Sequence, residues 1–93
     1  MNEHRSPRNA RERRAEAMNM LAELYWPATR DYQHTGASAA DMADNIAKLA
    51  ALGRTPRWAK AITDWAQAVR IATPDTLNWA FFQYAVHAGH AAD

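Results

Sequence analysis

The sequence predicts an all-α domain, a small four-helix bundle with a basic, partly projecting first helix. Three observations carry that expectation. Apolar residues recur at three- and four-residue spacing in four separate stretches, and no stretch alternates as a strand would. A hydroxyl residue followed by proline occurs three times, at Ser6-Pro7, Thr55-Pro56 and Thr73-Pro74, pairing a helix cap with a residue suited to the first turn. Alanine is frequent in all four stretches, so helix backbones can approach closely while aromatic side chains fill the spaces between them.

The first helix is expected over about 7–25, after a flexible start at 1–6. Its first half is polar on every side apart from alanines, so that half projects from the body or lies on its surface. Apolar contacts are expected from Met18 onward, with Leu21, Leu24 and Tyr25. Trp26-Pro27 should end or kink it, because proline removes a hydrogen bond and constrains the residue before it. A connection through Thr35-Gly36 follows. Tyr25, Trp26 and Tyr32 beside it are read chiefly as core plugs.

Ser38 opens the second helix, over 38–52, with Asp41 in the place of a capping-box acid and Met42, Ile46 and Leu49 as its stripe. Gly53 is expected as its left-handed stop. The third, over 56–72, carries Trp58, Ile62, Trp65 and Val69 at i, i+4, i+7 and i+11, capped by Thr55. The fourth is expected over 74–88, after Thr73. One stripe is Leu77, Phe81, Tyr84 and Ala88; Trp79, Phe82 and Val86 form a second, which makes the helix central or shared with a second copy in a homodimer.

At 93 residues the chain makes one domain, 1–93, and hides roughly 60–65% of the surface its unfolded form exposes. No apolar run exceeds four residues, as in Trp79-Ala80-Phe81-Phe82, so no membrane partner is expected, and residues 1–20 lack the apolar centre of an export signal. The absence of cysteine rules out disulfides, thiolate metal sites and cysteine nucleophiles, and fits a cytoplasmic protein. Net charge is +1, yet residues 1–14 hold Arg5, Arg8, Arg11, Arg13 and Arg14 against Glu3 and Glu12. A near-neutral chain with a basic arm is a poor match to a protein that coats DNA.

Candidate chemistry is sparse. His87 and His90 stand at i, i+3, a spacing that can share a metal but does not close a site, and they read as helix-end residues. Three glycines leave no phosphate loop, and no serine sits in a nucleophile elbow. No enzyme, cofactor or metal is therefore expected. The sharpest oddity is cationic. Arg54, Arg57 and Lys60 surround the start of the third helix, and Arg8 and Arg11 the start of the first, where the helix dipole favours acids. A solvated face paired with Asp41 or Asp44 explains the first group blandly; an anion site explains it functionally.

The expected function is a protein-binding module that occupies a surface of a larger protein or nucleoprotein complex, such as an inhibitor or accessory factor of a phage or plasmid acting against defence. Its contacts would be Arg8, Arg11, Arg14, Trp26, Arg54, Arg57 and Lys60, since arginine and tryptophan dominate interface hot spots. The alternative is a helix-turn-helix-like regulator that places the same cations on nucleic-acid phosphates. The turn Leu52-Gly53-Arg54-Thr55 has the length for it, but Trp58 and Asp64 fit a reading helix badly.

Overall fold

The computed structural model describes residues 10–30 and 38–91, with side chains from 11–25 and 38–91. They form four α-helices: α1 (Ala10–Arg30), α2 (Ala39–Ala47), α3 (Pro56–Arg70) and α4 (Leu77–His90), with a 3-10 segment, Lys48–Leu52, continuing α2. No strand occurs among the described residues. The expected caps at Ser6-Pro7 and the expected connection through Tyr32, His34 and Gly36 lie outside them.

Neighbouring helices run antiparallel, as the residues that meet across them show. Arg14 of α1 reaches Leu52 while Tyr25 reaches Asn45. Met18 lies beside Gly89 of α4 while Tyr25 meets Phe81. Leu49 meets Trp58 near the start of α3, and Asp44 meets Arg70 at its end. The order is up-down-up-down, so one end of the bundle collects the start of α1, the α2–α3 turn and the end of α4.

The expected stripe of α3 supplies the middle of the core. Trp58, Ile62, Trp65 and Val69 are fully buried, together with Met42, Ile46, Leu77 and Phe81. Trp65 and Phe81 meet edge to face, ring centres 5.4 Å apart. The Trp58 indole N–H donates to the Leu49 carbonyl at 2.9 Å, so its one polar atom is satisfied inside the core.

Local differences from the expected boundaries have physical reasons. Helix α1 passes through Pro27 and continues to Arg30. Proline forfeits only the bond to the Glu23 carbonyl, and Glu23 is exposed, so water can take that bond over. Ser38 accepts from the Asp41 N–H at 3.0 Å and Thr55 from the Trp58 N–H at 3.1 Å, both as hydroxyl caps. Thr73 does not cap α4. Residues 74–76 form a turn in which the Thr76 hydroxyl accepts from the Thr73 N–H at 3.0 Å, and the helix begins at Leu77.

Gly53 is not a left-handed stop either, for its φ and ψ are −148° and 162°. It is small for another reason: a Cβ there would stand 2.6 Å from Cδ1 of Trp58. On α1 the inward residues are Arg14, Met18 and Tyr25, with Leu21 half-buried between them; Leu24 turns outward, 65% exposed. On α4, Trp79 and Val86 of the second stripe are exposed, while Phe82 is half-buried. No helix among the described residues is long and apolar enough to cross a membrane.

Candidate functional site: the basic end of the bundle

The antiparallel order decides which charged residues become neighbours. Arg54 lies in the α2–α3 turn, Arg57 and Lys60 in the first turns of α3, and Arg11 and Arg13 in the first turns of α1. All belong to the same end of the bundle, where α4 also finishes with His87 and His90. These side chains are exposed.

Arg14 departs from its expected role. It is only 8% exposed, its guanidinium lies 5.3 Å from the centre of the Trp58 ring, and Nη1 donates to the Leu52 carbonyl at 3.4 Å. A cation over an indole face, withdrawn from water, stabilises by about 1–2 kcal/mol. Arg14 is thus a lid on Trp58 rather than a surface contact. Its aliphatic stem covers apolar surface while its head caps the end of the 3-10 segment. The spacing of Arg14, Met18, Leu21 and Tyr25 is that of one helix face, but the charge on Arg14 hid it from an apolar count.

The three cations around the start of α3 divide between two depressions. Arg54 lines one of about 480 Å³ with Arg13, Arg14 and the 51–53 backbone. Arg57 and Lys60 line the other, of about 510 Å³, with Asp64, Tyr84, His87 and His90. Arg11 sits on a third surface, beside Glu12, Val86 and Gly89 between α1 and α4. Arg8 and the side chain of Trp26 lie outside the described residues.

Neither Asp41 nor Asp44 pairs with this cluster. In an antiparallel hairpin the start of α3 faces the end of the preceding segment, and both acids are near its start. Asp44 accepts from Arg70 at 2.6 Å instead. Lys60 is held by Asp64 one turn on, at 2.8 Å. The hydrogen bond from Lys60 to Asp64, and then the carboxylate charge, raise the Lys60 pKa above its ordinary 10.5. Arg57 and Arg54 are the exposed cations of the α3 entrance that no ion pair among the described residues joins to an acid.

No group of three or more histidines, aspartates and glutamates among the described residues is arranged to hold a metal. The remaining sizeable surface feature is an apolar trough of about 680 Å³ between α1 and the 3-10 segment, lined by Ala17, Met20, Leu21, Leu24 and Leu49. Glu23, Asn45 and Lys48 also line it, and there Lys48 donates to Asn45 at 3.1 Å, whereas the basic end brings together several cations and two imidazoles. No protein-family model, curated protein or solved structure matches this chain.

Proposed function

We propose that the chain is a small non-enzymatic module that binds an acidic surface of a larger partner protein through the basic end of its bundle. The observation that supports this most is topological. An up-down-up-down order puts the cations of the α1 start, Arg54, Arg57, Lys60 and the two histidines at one end. Asp41 and Asp75 lie at the other, where Asp44 pairs with Arg70. Glu12 and Asp64 sit at the basic end, so the separation is a net one. Such a charge separation orients the molecule toward an acidic surface and speeds the encounter. Occupying that surface is how a small inhibitor or accessory factor works.

Two observations favour a protein over nucleic acid. The α2 segment touches α3 at both ends, with Leu49 at Trp58 and Asp44 at Arg70, which resembles an antiparallel hairpin more than helices crossing at the helix-turn-helix angle. Trp58 is wholly inside the core and so does not obstruct a reading face. Of the exposed cations Arg54, Arg57 and Lys60, however, the last is already paired with Asp64, whose carboxylate on that face opposes phosphate.

The test is affinity capture from the native host with the wild-type chain and an Arg54→Glu/Arg57→Glu variant. The expected result is one partner that the wild type retains at moderate salt and the variant loses, while Asp41→Asn retains it. Equal capture by all three overturns the proposal. Titration of duplex DNA at two salt concentrations decides the alternative. Tight binding that weakens steeply with salt assigns the cations to phosphates.

A further inference from the structure

His87 and His90 read from sequence as helix-end residues, yet they form one wall of the groove whose other wall carries Arg57 and Lys60. We propose that this groove holds the carboxylates of an extended acidic segment of a partner protein, with the two imidazoles as donors opposite the two cations. The proposal rests on the protein-binding reading and deepens it.

The donor inventory supports a carboxylate ligand. The groove offers a guanidinium, an ammonium, two imidazoles and the Tyr84 hydroxyl, all able to donate. Its one acid, Asp64, already accepts from Lys60. Each pair, Arg57/Lys60 and His87/His90, is spaced i, i+3, so each wall presents donors about 5–6 Å apart at their Cβ atoms. Alternate side chains of an extended segment lie about 6.6 Å apart, which matches that interval. Duplex phosphates are a poorer match. Their binding scales with fixed positive charges, and the groove has two, one of them paired. A neutral imidazole still donates to a carboxylate.

The charged and titratable groups around the two histidines are Arg57, Lys60 and Asp64 from α3, Arg11 and Glu12 from α1 on the other flank of α4, and Tyr84 on α4 itself. Of these groups only Asp64 is an acid in the groove, and it is engaged by Lys60, so the carboxylates of a ligand meet an excess of donors.

The experiment is an NMR titration of the full chain with hexaglutamate at low salt, beside hexathymidylate. Hexaglutamate is expected to shift the amide signals of Arg57, Lys60, His87 and His90. In a His87→Ala/His90→Ala variant, with folding checked by circular dichroism, binding weakens several-fold; in Arg54→Ala it persists. Three results overturn the assignment: no shifts, undiminished binding by the folded double variant, or tighter binding of the oligonucleotide at the same residues. The peptide assay needs no natural partner. Failure of the groove with partner capture intact leaves the protein-binding reading standing, whereas a partner indifferent to charge reversal overturns that reading and the partner segment with it, even where hexaglutamate still binds the groove.

Discussion

Trp58 and Trp65 are both fully buried on the same face of α3, and replacing each with phenylalanine removes the same atoms. Both sites are fully enclosed, so with equal collapse around the two cavities the packing cost cancels in the comparison. What differs is polar. Trp58→Phe forfeits the hydrogen bond to the Leu49 carbonyl, about 1 kcal/mol net. It also loses up to about 1 kcal/mol of the roughly 1–2 kcal/mol contact with the Arg14 guanidinium, since phenylalanine binds a cation more weakly. The Trp65 indole N–H is buried with no hydrogen-bond partner among the described residues, so Trp65→Phe removes an unmet donor and recovers about 1 kcal/mol or more. Trp58→Phe should therefore be the less stable variant by roughly 3 kcal/mol. For a chain of this size that is a melting difference of roughly 12–24 °C, since each kcal/mol shifts the midpoint by about 4–8 °C. Far-UV circular dichroism on heating, with urea titration to check that the slope is unchanged, measures it. A Trp65→Phe variant as unstable as Trp58→Phe, or less stable, would refute the claim that these polar differences outweigh the difference in packing.

Gly53→Ala drives a methyl group into the Trp58 ring and should destabilise by about 1–3 kcal/mol in urea titration, although Gly53 has a φ that alanine tolerates. Asp64→Asn should bring the Lys60 pKa back down toward 10.5, read by NMR titration of the ammonium. Because that pKa is raised in the folded state, any stabilisation from the pair is present below the unfolded value and is lost as pH rises through the folded one, so it disappears on the alkaline side only. Asp44→Asn should cost under about 1 kcal/mol, less still at high salt, because both partners of the Arg70 pair are substantially exposed. A larger loss would mean that the pair pins α2 against α3.

Much of the fold was legible because periodicity and burial agree. The α3 stripe and the caps at Ser38 and Thr55 follow directly from side-chain spacing and hydroxyl chemistry. The departures share a cause: each depends on a contact between elements. Nothing local to Gly53 announces that Trp58, five residues on, will lie against it. Arg14 is polar in a count of residue types, and only a tryptophan brought beside it by folding makes it an interior residue. The candidate site was half legible for the same reason. Arg54, Arg57 and Lys60 are close in sequence, whereas Arg13, Tyr84, His87 and His90 join them through the antiparallel order alone.

That order also changes the meaning of the cations at the start of α3. Considered as one helix, Arg57 and Lys60 oppose a dipole whose positive end they occupy, which is unfavourable though screened by solvent. In the bundle the start of α3 lies beside the end of α4, whose carbonyls carry the opposite partial charge, and the two helix ends offset one another. Lys60 is further matched by Asp64. The unfavourable placement is therefore milder than the sequence implies, and cost alone is a weak argument for function. The stronger argument is that cations from one helix face imidazoles from another across an open groove. Structural compensation required only an acid like Asp64 at each position. Arg57 and the two histidines go beyond that requirement, and on them the proposed carboxylate site rests.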